Sequence, residues 1–267
     1  MLSLRQLAIV APKGVEGSPW AWTRNLTRGA VPCLVILVWY VLSATNVVSQ
    51  RLFPSPLTVF EALWDLIVTG QLWPAIAASM ARGLTGLAIG VTIGMIAGCV
   101  SGLTRTGDEI LDSSFQILRA IPFIALVPLF VLWFGIDQAP KIILISLACV
   151  FPAYVNTYSG VRHVDAKLVE ASGVFGLNRV QRVVHIILPS ALPPILVGIR
   201  YSMSTALLAL IVAEQLNVQN GIGAIILNAN SALRIDIMIA GILVYAAIGV
   251  LIDIVMRMVE KAAMPWK

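Results

Sequence analysis

Three charged side chains fall inside stretches otherwise too apolar to hold them: Arg119, Arg200 and Glu214. An ion in hydrocarbon is costly unless it is paired or wet, so each is a candidate for handling something polar as it crosses a membrane. For the two arginines the chemistry is oxyanion recognition, because a planar guanidinium can pair two oxygens at once. Both also lie within about two to three helical turns of the nearer end of their runs, where a long side chain can reach lipid phosphate instead. Glu214 suits a gate or an outer-surface contact for a substrate-delivering protein, and equally suits a plain contact between helices. Covalent chemistry has no foothold: there is no HExxH, no G-x-S-x-G and no metal-spaced histidine pair, and His163 and His185 share one loop. No Gly-Lys dipeptide occurs, so no G-x-x-x-x-G-K-[ST] loop cradles ATP phosphates. Cys33, Cys99 and Cys149 are odd in number and far apart, which reads as small buried hydrophobes rather than a disulfide or metal framework.

A second concentration of chemistry is Glu170 to Pro194, EASGVFGLNRVQRVVHIILPSALPP, polar and basic within an oily chain. The segment 164–174 can form one short helix, and Gly176 permits a sharp turn. Residues 178–187 then form a second helix with Val180, Val183, Val184 and Ile187 on one face. Arg179, Gln181, Arg182 and His185 face elsewhere, and Pro189 is expected to stop the helix as the chain re-enters the membrane. The expected shape is a helical hairpin; an ordinary amphipathic loop on the membrane surface is the alternative.

The elements that must carry these groups follow from composition. Of 267 residues, 59% are hydrophobic and 12% charged, outside the range of ordinary soluble domains. Runs long enough to cross a bilayer as helix, about 18 to 25 residues, occur at 31–49, 83–103, 113–134, 139–158, 190–213 and 237–256. The first resembles a signal peptide in following Arg24 and Arg28, but it is long and starts late, and reads as a retained signal anchor. Arg5, Lys13, Arg24, Arg28, Arg105, Arg162, Lys167, Arg179, Arg182, Arg257, Lys261 and Lys267 fall on one side of this topology. Arg51, Arg82, Lys141 and Arg234 fall on the other, so the positive-inside rule puts both termini and the 160–189 segment in the cytoplasm. The net charge of +5 is explained by that flanking pattern, and no basic stripe with interleaved aromatics suggests nucleic acid.

Between the first two spans, Phe53-Pro-Ser-Pro56 makes a rigid turn. It leads into an amphipathic helix with Leu57, Phe60, Leu63, Trp64 and Ile67 on one side, suited to a membrane surface or to capping a bundle. Gly86, Gly90, Gly94, Gly98 and Gly102 recur every fourth residue in the second span. A face without side chains allows close helix packing, within the chain or with a second copy. Pro122 and Pro128 invite kinks in the third span, as accommodation or as part of a gate.

Glu170, Ala171 and Ser172, then three residues, Gly176, nine residues and Ile186-x-Leu188-Pro189, match E-A-A-x3-G-x9-I-x-L-P with Ser172 the one departure. This resembles the EAA signature of permease subunits of ATP-binding-cassette (ABC) importers. Further stretches resemble the sulfonate, taurine, nitrate and bicarbonate branch, aliphatic sulfonate permeases above all. They are Phe53-Pro-Ser-Pro56, Leu118-Arg-Ala-Ile-Pro122, Pro128 through Trp133-Phe-Gly-Ile-Asp137, Phe151-Pro-Ala-Tyr-Val-Asn-Thr157, Ala213-Glu214 and Asn220-Gly-Ile-Gly223. Together these cover most of residues 50–262.

The resemblance implies an all-α membrane protein of six transmembrane helices with the type I importer permease fold. Its parts are a cytoplasmic tail at 1–29, a first helix at 30–50, an extracytoplasmic turn and helix at 51–74, a permease domain at 75–262 and a C-terminal tail at 263–267. The hairpin at 163–189 becomes the coupling helix that seats on an ATPase subunit through Glu170, Ala171, Ser172, Gly176, Arg179, Ile186, Leu188 and Pro189. Glu170 is then a charged contact or a brace of the hairpin, and Gly176 the hinge of its turn. ATP and magnesium belong to that partner, present in two copies. An extracytoplasmic binding protein and a second permease copy, likewise embedded in the bacterial inner membrane, complete the expected assembly. The expected cargo is a small organic anion, aliphatic sulfonates first, with taurine, nitrate, bicarbonate or another small metabolite as alternatives. A secondary transporter or a membrane scaffold is the remote alternative from another class.

Overall fold

The computed structural model describes residues 21–45, 49, 52–215 and 220–264, with only the backbone of 21–29, 31 and 32. The polar tail before residue 21, Arg51, Asn217 and Lys267 lie outside them. Among the described residues the regular structure is helical, in two compact units, Met1–Thr58 and Val59–Lys267.

In the first unit, α1 (Ala21–Ala44) carries a twelve-residue apolar part, Cys33–Ala44. The proline turn folds back on it: Trp39 Nε1 donates to the Pro54 carbonyl at 3.0 Å and Ser43 Oγ to that of Phe53 at 3.3 Å. Ser55 then accepts from the Thr58 amide and opens α2 (Pro56–Val68), whose first residue is the Pro that a helix tolerates there. Helix α2 buries Val59, Ala62 and Leu66. The large apolar residues expected on one side include Leu57, Phe60 and Trp64, and these face outward, as suits a helix against lipid.

The second unit is a bundle built on α3 (Leu72–Leu103) and α6 (Gln138–Arg162). They run parallel at close approach because the glycines leave no Cβ between them. A Cβ on Gly86 would meet Ile145 Cγ2 at 2.6 Å, and one on Gly90 or Gly94 would run into the backbone oxygen of Ser146 or Val150. The four-residue stripe therefore serves packing within the chain.

The expected third span is not one helix. It is two legs, α4 (Arg105–Leu118) and α5 (Phe123–Phe134), bent by 78° at residues 119–122. Pro122, with ψ at 115°, has left the helical region and restarts the chain in a 3-10 turn. Hairpin helix α7 (Ala166–Val174) follows α6, and α8 (Arg179–Glu214) returns antiparallel to it. Ser202 Oγ donates to the Cys149 carbonyl at 2.9 Å, and Gly198 abuts Pro152 and Asn156, fixing that register. A short apolar helix, α9 (Ile222–Ser231), precedes α10 (Ile235–Ala263). Among the described residues, four helices, α3, α6, α8 and α10, can cross a membrane by length and composition, and five spans result if α4 and α5 count as one.

Pro189 does not end a helix. Residues Val183–Ile187 form a π-turn directly before it, and α8 runs unbroken from the hairpin into the bundle. Proline lacks the amide and crowds the preceding turn, and the widened π-turn absorbs both defects, so the helix bypasses a stop signal.

Candidate functional site

At one end of the bundle the hairpin stands on well-capped helices. Asp165 accepts from the Lys167 amide at 2.9 Å to start α7. At its end Gly176, with φ +76°, lets its own amide reach the Gly173 carbonyl at 3.0 Å and the Leu177 amide reach that of Ser172 at 3.1 Å, which closes the helix in a Schellman turn. Asn178 and Gln181 form a reciprocal capping box at 2.9 Å each way. Arg182 Nε ties the second arm to the turn through the Leu177 carbonyl at 2.9 Å. Ser172, the one departure from the motif, is buried and donates to the Val169 carbonyl at 2.6 Å, so its hydroxyl is satisfied inside its own helix.

What the hairpin offers outward is different. Glu170, Ala171 and Arg179 are exposed, and the Glu170 carboxylate makes no hydrogen bond or ion pair with another described residue. Val174 and Phe175 are 88% and 82% exposed, beside an open concavity of about 420 Å³ lined by Phe175, Gly176, Leu177, Gln181 and His185. Ile186, Leu188 and Pro189 occupy the stem, where Ile187 packs against Val161, Ala191 and Ile195. An apolar tip on a rigid turn with unpaired polar groups around it has the form of a docking element.

Beneath the hairpin, the first turn of α4 leads into a π-turn over Asp108–Asp112 that aims two carboxylates at α6. Tyr158 donates to Asp108 at 2.6 Å, Tyr154 to Asp112 at 3.0 Å, and Arg162 pairs with Asp108 at 3.2 Å. The last turn of α6, from which the hairpin springs, is thereby tied to the broken span.

The opposite end holds Glu214, fully buried at the C-terminus of α8. Ser79 donates to its two oxygens at 2.7 and 2.8 Å, Tyr245 to Oε2 at 2.6 Å and the Gly223 amide to Oε2 at 2.9 Å. Arg82 is its ion-pair partner, also buried, and extends to Gln138 Oε1 at 2.5 Å and the Asn220 carbonyl at 2.6 Å. A buried carboxylate needs its lone pairs filled and its charge balanced, and this set does both. Gly221 adopts φ +126°, and a Cβ there would lie 2.7 Å from both Arg82 Nη1 and Glu214 Oε1. The stretches Ala213-Glu214 and Asn220-Gly-Ile-Gly223 thus meet in one cage. Glu214 is an internal helix contact, not a surface one.

Ser79, Arg82, Gln138 and Tyr245 escaped the sequence reading, which counted Arg82 as a loop charge. The signal lay in spacing: Ser79 and Arg82 continue the face of Gly86 and Gly90 toward the start of α3, where a polar pair on the packing face demands a buried partner.

The remaining candidates separate. Arg200 pairs with Asp253 at 2.6 Å and lies 3.7 Å from Glu260, both on α10. Arg119 stands at the break between α4 and α5, exposed and without a hydrogen-bonding or ionic side-chain partner among the described residues. Beyond the spans, Asp236 holds the Arg234 guanidinium above its ordinary pKa range through their hydrogen bond.

Residues 90–264 match the family described as binding-protein-dependent transport system inner membrane component. The chain belongs to that family. It is an inner-membrane permease subunit of an ABC importer, a transport subunit rather than an enzyme. A provisionally named aliphatic sulfonates transport permease, SsuC of Escherichia coli K12, is 40% identical over 92% of this chain and 93% of its own. The Bacillus subtilis 168 protein of the same name is 37% identical over 93% and 89%. The taurine transport system permease TauC of E. coli K12 is 32% identical over 92% and 93%. The fold resembles that of the MetNI methionine ABC transporter in its inward-facing form, with TM-score 0.60 and 18% identity over 76% of this chain and 98% of that one. The type I importer permease fold expected from the sequence is therefore present, with its third span broken.

Proposed function

We propose that this permease carries aliphatic sulfonates into the cytoplasm, driven by ATP hydrolysed on a separate subunit. The reading rests on the near full-length similarity to the two SsuC proteins. Two copies would form the pathway between them, and a binding protein would deliver substrate at the Glu214 end. Two ATPase subunits, holding ATP and magnesium, would seat on the hairpins around Glu170, Gly176 and the exposed Phe175. ATP binding would draw the ATPases together and turn the helices from inward-open to outward-open; hydrolysis would reset them. Both termini and the hairpin would then be cytoplasmic. Burial of Arg82 against Glu214 supports this sidedness, since it removes one of the four positive charges assigned to the outside. The similarity to TauC supports taurine as the second cargo to test.

The deciding experiment is competitive uptake of labelled ethanesulfonate, taurine and nitrate by cells with and without this chain. Loss of ethanesulfonate uptake alone is the expected result. Loss of taurine or nitrate uptake with ethanesulfonate unchanged would reassign the cargo, and ethanesulfonate uptake that persists with a vanadate-inhibited ATPase would overturn the coupling.

A further inference from the structure

Arg119 differs from Arg82 and Arg200 in having no hydrogen-bonding or ionic side-chain partner among the described residues. Its depth is bracketed by its neighbours. Four residues before it, Phe115 stacks on Tyr154 at 4.1 Å and meets Phe151 edge-on at 6.0 Å. Four residues after it, Phe123 packs with Val127 against Leu144. Arg119 therefore lies level with the stretch between Leu144 and Phe151, the middle of the 25-residue α6. A guanidinium at that depth facing lipid is strongly disfavoured.

Its backbone carries a second and independent constraint. Residues 119–122 are the break between two legs bent by 78°, and they are exposed on the surface of the chain. Irregular backbone at membrane depth is tolerated where protein buries it or where it lines a wet cavity, not against hydrocarbon. In a second copy of this chain, the described carboxylates nearest that depth are already engaged. Among the described residues, Asp253 within α10 is held by Arg200 with Arg257, Asp112 accepts from Tyr154, and Glu214 at the end of α8 is paired with Arg82.

We propose that Arg119 lines the translocation pathway at mid-membrane and binds the oxyanion group of the substrate as it passes. The planar fork suits a sulfonate, whose oxygens it can take in pairs. A cation in the pathway without a resident carboxylate also provides a place where an anion dwells briefly, since no fixed ion pair has to be broken for it to enter. This deepens the importer reading above and rests on it for the class of cargo.

The test uses the complete transporter, permease with its ATPase and binding protein, in proteoliposomes. Wild-type uptake of ethanesulfonate, taurine and nitrate first identifies the anion carried, which judges the cargo reading by itself. Arg119→Gln and Arg119→Lys are then compared with wild type on that anion. The expected result is an uptake rate at least tenfold lower for Arg119→Gln, a smaller loss for Arg119→Lys, and unchanged co-purification of the ATPase. Uptake at the wild-type rate by Arg119→Gln overturns the proposal, and so does equal loss in both variants with loss of assembly. A second measurement does not depend on transport: Arg119→Cys in a chain with Cys33, Cys99 and Cys149 replaced by Ser, treated with a charged, membrane-impermeant thiol reagent. Modification slowed by the carried anion is expected; a thiol that does not react places residue 119 out of water and overturns the assignment.

Discussion

Two glutamates mark the two ends of the bundle, and their surroundings are opposite. Glu214 is fully buried, with a guanidinium, two hydroxyls and a backbone amide on its oxygens. Glu170 is exposed on α7 with no partner among the described residues, although the helix beneath it is capped at both ends. A carboxylate whose capacity is filled from within is part of the architecture. One presented open on a rigid support is available to another protein.

Substitutions separate the two ends, beginning with the largest effect. Glu214→Ala leaves Arg82 buried without a counter-charge and is expected to destabilise the subunit by about 3–5 kcal/mol, read as thermal unfolding in detergent. An unchanged midpoint would show that Glu214 is not structural and would dissolve the comparison. Gly90→Val drives a side chain into the Ser146 carbonyl and should cost about 1–3 kcal/mol by the same measurement. Gly176→Asp forces a side chain onto φ +76°, with strain of about 1 kcal/mol, and should weaken co-purification of the ATPase or uncouple hydrolysis from transport. Tyr245→Phe removes one donor of several from Glu214 and should cost about 1 kcal/mol, so a loss as large as that of Glu214→Ala would mean the tyrosine, not the arginine, carries the cage. Glu170→Ala should leave the unfolding midpoint within error while reducing coupled transport; wild-type coupling here and in Gly176→Asp would remove the docking assignment.

The local features were legible. The glycine stripe, the turn at Gly176 and the two arms of the hairpin follow from spacing over a few residues, because helix faces and turn chemistry are short-range properties. The cage was not, because Arg82 and Glu214 are 132 positions apart and a single sequence carries no sign of which buried charges meet. The 78° break was half legible: Pro122 announces a defect, but its angle is set by how Phe123 and Val127 seat against Leu144 and Ala213. Pro189 misled for a related reason. A proline forbids one hydrogen bond, and whether the helix stops or widens is decided by what lies beyond, here an apolar segment that must still cross the bundle.

The unbroken α8 has a mechanical consequence. Its 36 residues make a beam of about 54 Å, with the hairpin at one tip and Glu214 at the other. Ser202, bonded to Cys149, sits about 32 Å from Gln181 and about 18 Å from Glu214, a natural fulcrum. A sideways push of about 5 Å at Gln181 would tilt a stiff beam by about 9° and swing its far tip by about 3 Å the other way. That stroke is comparable to the length of a hydrogen bond, so a displacement at the hairpin would be felt at the far tip on the scale of the contacts that hold Glu214.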